Sequence, residues 1–364
     1  MTNEIPDIDV KREVKKINNT NPNIRDVICL IGGFEAKIDS EHGTVQDEPV
    51  FFETYSEAKA ALEDGSESTL PDANKALKLL FTDDISGILC VNISTFTGSG
   101  TPTWSRTVTK TKLETALASV NQMEFDQLFV AAELTDELIT VIDTEAKARF
   151  EDKKPLSWAG VGTRANASAY TTTASKLGDY CAAFLTQPLE VKNTLLSLIE
   201  SGAWLSNYIA RLPVGNSLTA KELTDVTGLG TSYTFADGDI GKTLVGLGFF
   251  VVRLLSPKNK TYECVNSAGA NGLDLYITRS TVYIINDFSL RKFLGDKNNT
   301  PTLDNLKMEC NRLLTKFRDD LKIVENINYA VERVDSKTAK VILNSIQYSD
   351  VLTKLKVYVT IEVV

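Results

Sequence analysis

The stretch "DVICLIGGF", Asp26 to Phe34, is an apolar run closed by two glycines and a phenylalanine. A strand with one face in water alternates apolar and polar residues, whereas a strand covered on both faces carries apolar side chains at successive positions. The run therefore reads as a fully buried strand, and the chain around it repeats the type. "GILCVNI" (87–93), "DQLFVAAEL" (126–134) and "PLSWAGVG" (155–162) are further strands, as is "EPVFFET" (48–54). Between them lie "SEAKAALED", "PDANKALKLLF", "KTKLETALASV" and "DELITVIDTEAKARFED", which read as amphipathic helices. Apolar strands alternating with amphipathic helices specify an α/β sheet covered on both faces.

Past this block the pattern changes. Residues 172–212 read as mainly helical, with Leu195, Leu196, Leu198, Ile199, Trp204, Leu205 and Ile209 forming an apolar stripe around Gly202. The strands "FFVVRLL" and "TYECVNS" follow, then the apolar run "STVYIIND". In "TPTLDNLKMECNRLLTKFRDDLKIV" (300–324), Leu303, Leu306, Cys310, Leu313, Leu314, Phe317 and Leu321 recur at three- and four-residue spacing. They mark a long amphipathic helix from Thr302 to about Leu321. "ENINYAVERV" and "TAKVILNSIQ", joined by "DSK", read as a hairpin, and a last strand, "KLKVYVTIEVV" (354–364), follows a short link. The fold class is α/β, or α+β overall. It has an arm at 1–22, an α/β body with a mixed sheet at 23–290, a helix-and-hairpin domain at 291–350, and a C-terminal arm strand at 351–364. Any internal division of the body falls near 101–250.

In the last strand Leu355, Val357, Val359, Ile361 and Val363 alternate against Lys356, Tyr358, Thr360 and Glu362, so one face is to be buried. Periodicity sets which face is covered and not whose sheet is joined, so pairing at home and pairing with another chain both remain open on the pattern alone. At the other end, Ile8 and Val10 alternate like a short strand, while Val10, Val14 and Ile17 would equally suit a helix.

The 364 residues are 43% apolar and 24% charged, the composition of a globular protein with room for two or three domains. A net charge of -9 argues against a chain whose main task is holding nucleic acid, which needs a basic surface. Neither a signal-peptide-like run near Met1 nor the ~18 consecutive apolar residues of a membrane helix is present, so synthesis in a cytoplasm without membrane insertion is expected. Cys29, Cys90, Cys181, Cys264 and Cys310 are widely spaced and read as buried free thiols; with His42 as the single histidine, a zinc site has no ligand set.

The strongest catalytic match is "ADGDIGKT", Ala236 to Thr243, a loose form of the phosphate-binding loop with Ala in first place. Such a loop needs a strand before it and a helix whose first turn faces the phosphates. The upstream "GTSYTFAD" is short and polar, so Lys242 reads as a solvated residue on a short helix. "TGSGTPTWS" (97–105) is glycine-rich without GxGxxG and reads as an exposed loop; His42 sits in a polar stretch and reads as a surface side chain. No nucleophile, base and oxyanion donor assemble, and no cofactor is called for.

Four stretches carry a resemblance to the contractile tail sheath family of phages and related injection systems. They are "NIRDVICLIGGFEAKIDSEHGTVQDEPVFFETYSEAKAAL" (23–62), "ALKLLFTDDISGILCVNIS" (76–94), "VGNSLTAKELTDV" (214–226) and the whole end from "RSTVYIINDFSLRKFL" to "TIEVV". The first departs from the family's typical "P…SW.EF..LFG", and the middle of the chain matches least. The resemblance implies a structural subunit and not an enzyme. It implies self-assembly into a helical polymer around an inner tail tube protein, with baseplate and tail terminator proteins at the ends, in a virion tail or extracellular contractile particle. It further implies that the arm (Ile8, Val10) and the terminal strand (Leu355, Val357, Val359, Ile361, Val363) join sheets in neighbouring subunits, and that the polar side of the long helix, with Lys307, Arg312, Lys316 and Arg318, faces the tube. The competing readings are a nucleotide-binding α/β enzyme around Lys242, and a baseplate or capsid protein that exchanges strands without contracting.

Overall fold

The computed structural model describes residues 27–35, 48–63, 70–81, 85, 87–97, 103–152, 154–267, 269–270, 272–288, 293, 300–334 and 339–348. The arm with Ile8 and Val10, His42, the glycine-rich tip at 98–102 and the terminal strand with Leu355, Val357, Val359, Ile361 and Val363 lie outside these residues.

The first half runs β1 (Ile28–Gly32), β2 (Val50–Phe52), α1 (Tyr55–Leu62), α2 (Asp72–Leu80), β3 (Ile88–Asn92), β4 (Thr95–Thr97), β5 (Thr103–Ser105), α3 (Lys110–Ser119), β6 (Gln127–Glu133), α4 (Asp136–Glu151), β7 (Ser157–Val161) and α5 (Ala167–Ala174). The second half runs β8 (Cys181–Leu185), β9 (Leu189–Val191), β10 (Thr194–Leu195), α6 (Leu198–Arg211), β11 (Lys221–Glu222), β12 (Val226–Leu229), α7 (Ile240–Gly246), β13 (Val252–Ser256), β14 (Thr261–Cys264), α8 (Leu275–Phe288), α9 (Thr300–Thr315), β15 (Val324–Arg333) and β16 (Ala339–Tyr348).

The main sheet has the order β2-β3-β1-β6-β7-β8, parallel except for the edge strand β2. Its central strand β1 shows why the sequence carries an unbroken apolar run. Ile28 and Leu30 enter the core under α2 and α6, while Cys29 and Ile31 enter the opposite core under α3 and α4. Several helices begin where a side chain takes a free backbone N–H. Thr135 accepts from Leu138 N at the start of α4, and Ser197 and Glu200 form a reciprocal capping box at the start of α6.

Two expectations change, and one open run is assigned. The region 172–212 is not mainly helical: "CAAFL" is β8, the parallel edge of the main sheet, and β9 and β10 follow before α6. An isolated five-residue apolar run carries no helix or strand period, and only the groove beside β7 decides it. The ends of "TFTGSGTPTWS" are paired as β4 and β5 instead of forming an open loop. The run "STVYIIND" lies in α8, which packs against β7 and β8.

A third core sits apart from the sheet, built by Tyr283 and Ile284 of α8, Leu306, Cys310 and Leu313 of α9, Phe317, and Ile323, Val324 and Ile327. α9 ends at Thr315, and a π-helical turn, Lys316–Asp320, completes the expected helix. α8 spans the junction. Asp274 accepts from Tyr276 N (3.1 Å) at its start and takes the hydroxyls of Ser217 (2.7 Å) and Ser267 (2.9 Å). Arg279 donates to the carbonyls of Leu212 (3.0 Å) and Ala210 (3.4 Å) at the end of α6, and Asn286 donates to Asp126 (3.1 Å). Three separated ties of this kind fix α8 to the body.

Candidate assembly surface

In open α/β sheets ligands bind beyond the carboxyl ends of the strands where the winding reverses. Here that point lies between β1 and β6, and it is filled. The backbone of Arg106 packs on Gly33 so closely that a Cβ there would stand 2.5 Å from the Arg106 carbonyl oxygen. The Arg106 guanidinium lies 3.6 Å from Glu35. At "ADGDIGKT" the lysine folds back onto Asp237 in an ion pair, and Asp239 takes the Ala236 N–H (2.8 Å), so the loop satisfies itself. The helix it opens, α7, follows irregular chain and not a strand. All five cysteines are free and buried. Burial pushes the Cys29 thiol up to about 12 and that of Cys310 to about 11, so both stay protonated and unreactive at neutral pH. Among the described residues no group of His, Cys, Asp and Glu could hold a metal, and no helix is long and apolar enough to cross a membrane.

The exposed backbone is elsewhere. β15 and β16 form a two-stranded antiparallel ribbon of ten residues each, and neither pairs with another strand among the described residues. One face is apolar, with the opposed pairs Val324 and Tyr348, Ile327 and Ile346, Tyr329 and Leu343, and Val331 and Val341 packing toward the third core. The other face carries Asn328 opposite Ser345 and Glu332 opposite Lys340. The alternation is interrupted once on each strand: Glu325 is an extra residue on β15, and Asn344 on β16. Each bulge restores to the inner face the apolar residues that a strict period of two would turn outward. Both outer edges of the ribbon present N–H and C=O groups to whatever lies beside them, the geometry that strand addition uses.

The four cations of the long helix do not form one basic face. Lys307, Arg312 and Arg318 are exposed, but Lys316 turns inward, 2.6 Å from Asp287 and 2.9 Å from the Tyr283 hydroxyl. Arg312 is paired with Glu309 (2.6 Å) and Arg318 with Asp319 (2.7 Å), each partner raising the arginine's pKa through its hydrogen bond. Lys307 has no ion pair among the described residues, and Met308 beside it is 69% exposed. The outer face of α9 is therefore close to charge-balanced around an apolar centre.

No family model matches the chain, and no curated protein matches it by sequence. Solved structures do. A sheath tail protein of Desulfitobacterium hafniense gives a TM-score of 0.62 at 13% identity, over 87% of this chain and 95% of that one. A sheath tail protein of Listeria innocua gives 0.62 at 12% identity, over 90% and 95%. The helical sheath of the anti-feeding prophage in its contracted state gives 0.61 at 12% identity, over 96% and 97%. The chain has the sheath-protein fold.

Coverage of this extent takes in the α/β body together with the α9 and ribbon unit of the sheath fold. Sequence reasoning found the ribbon and α9 but missed the ties of α8. The signal available for them was Arg279 itself, a lone cation beside the apolar run "STVYIIND", which fits a buried group capping carbonyls.

Proposed function

We propose that the chain is the structural subunit of a contractile sheath, polymerising around an inner tube and held to its neighbours by exchanged strands. The observation that carries the reading is the likeness to sheath proteins over nearly the whole chain, an assembled contracted sheath among them. The ribbon supports it, since a pair of ten-residue strands that pairs with no other strand among the described residues is suited to receiving strands from other copies. The donors in this reading are the terminal strand, through Leu355, Val357, Val359, Ile361 and Val363, and the arm around Ile8 and Val10. Each main-chain hydrogen bond so formed contributes ~1 kcal/mol net, repeated at every lattice point. The subunit does no chemistry. It assembles in an extended lattice of higher free energy and moves as a nearly rigid body to a shorter, wider one, driving the tube.

In the same reading the outer face of α9, with Lys307, Arg312 and Arg318, meets the inner tube protein, and baseplate and terminator proteins close the ends. Synthesis takes place in a host cytoplasm, and the product is part of a virion tail or an extracellular contractile particle. The test is negative-stain microscopy of the chain expressed alone. Long hollow tubes are expected; a small discrete oligomer that never polymerises refutes the reading and favours the enzyme or baseplate alternatives.

A further inference from the structure

We infer that Tyr348 anchors the root of the terminal strand to the subunit body, acting through Thr281 of α8. The inference rests on the strand-exchange reading above. Tyr348 is the last residue of β16; in that reading the exchanged segment, from Lys354 on, follows it closely in the sequence, so a neighbour that holds the segment pulls first on Tyr348. β16 is otherwise held by its ladder to β15 and by the packing of Val341, Leu343 and Ile346 on the third core. It is the outer strand of the ribbon, α9 packs on β15, and the ladder to β15 ends at the pair Val324 and Tyr348.

The Tyr348 hydroxyl is hydrogen-bonded to Thr281 Oγ1. Thr281 has a single hydroxyl proton and donates it to the Ile277 carbonyl (2.8 Å) within its own helix, which leaves its oxygen to accept from Tyr348. The donor is thus the phenol, and the acceptor is held in place by the helix. Thr281 also lies between Arg279, which caps α6, and Asn286, which is tied to Asp126, on the stretch of α8 most firmly joined to the body. Load entering at Tyr348 passes to the sheet through that helix instead of peeling β16 from β15. The hydroxyl is a positioning group that, through Thr281, sets where the exchanged strand leaves the subunit.

The test compares tubes of the full-length wild type, Tyr348→Phe, Thr281→Val, the double variant and Thr281→Ser, following disassembly in guanidinium by light scattering and microscopy. Tyr233→Phe is the control, since it removes a comparable hydroxyl bond inside the body, to the Thr186 carbonyl (3.0 Å). Tyr348→Phe and Thr281→Val should each hasten disassembly roughly 2- to 10-fold. The double variant should be no faster than either, Thr281→Ser should behave as wild type, and Tyr233→Phe should lower the melting temperature without hastening disassembly. Variants that melt earlier yet disassemble at the wild-type rate, or a Tyr233→Phe tube that falls apart equally fast, overturn the anchor alone. A wild type that forms no tubes overturns the sheath reading and the anchor with it.

Discussion

Replacing Phe317 by alanine should release the α9 and ribbon unit while leaving the α/β body folded. The side chain is fully buried in the π-helical turn, its ring packed edge-on against Tyr283 at 5.9 Å and 76°, with the Lys316 ammonium 4.8 Å from the Tyr283 centroid and 5.4 Å from its own. Truncating a buried phenylalanine costs about 3–5 kcal/mol, because the lost contacts are joined by a cavity that rigid neighbours fill only in part. That loss falls on a core of nine buried hydrophobic residues among those described, in contact with the body mainly through α8, and it is of the order of a whole domain's stability of about 5–15 kcal/mol. The assay is limited proteolysis with mass mapping, alongside negative-stain microscopy. New cleavage within 300–348, a resistant fragment ending near α8, and loss of tubes are the expected results, with Phe317→Leu close to wild type. A variant that still forms tubes and resists cleavage in that region would refute the idea that this small core alone holds the assembly unit together.

If the terminal segment is exchanged as a strand as proposed, Val359→Pro should abolish polymerisation while circular dichroism stays native, since proline removes a ladder donor from a strand interior, and Lys356→Ala should be mild; sedimentation separates the outcomes. Reversing Lys307 and Arg312 to glutamate should weaken co-assembly with the tube protein more at low salt than at high salt, whereas Lys316→Met should act through subunit melting temperature, because its partner is Asp287. Asp136 is partly buried, which opposes ionisation, but hydrogen bonds from Thr173 (2.6 Å) and Arg164 (2.9 Å) hold its carboxyl below the ordinary 3.8. A depressed folded value means the stabilisation is present above 3.8 and disappears as pH falls through the folded value, so Asp136→Asn should lower the melting temperature at neutral pH and converge with wild type in strong acid. Lys242→Ala should leave assembly unchanged, and neither protein should bind ATP in equilibrium dialysis.

The sheet was legible because β1, β3, β6 and β7 are covered on both faces, and continuous apolar runs have few other solutions. α9 was legible for the opposite reason, its one buried stripe giving a clear helical period. β8 was hidden because "CAAFL" is short and its period undefined, and α8 because its β-branched residues suit a strand until the groove over β7 and β8 is known. Charge placement was the least visible: Lys316, read as one of four outward cations, is drawn in by Asp287, nearly thirty positions earlier in the chain. Whether a cation is free depends on such long-range neighbours, which a one-dimensional pattern does not contain.

The two bulges of the ribbon bear on the geometry of a lattice. Strand addition is ordinarily indifferent to slippage by two residues, since the same face stays buried and the same hydrogen bonds re-form about 6.6 Å further on. An edge interrupted at Glu325, or at Asn344, has no such repeat, because the interruption comes at one height only. Any strand laid along either edge therefore meets a tooth as well as a rail, and only one seating lets it pass the tooth without losing bonds. If copies are joined by strand exchange as proposed, such a joint at every lattice point would turn a local irregularity into a fixed spacing between copies, and an error of one notch would not accumulate.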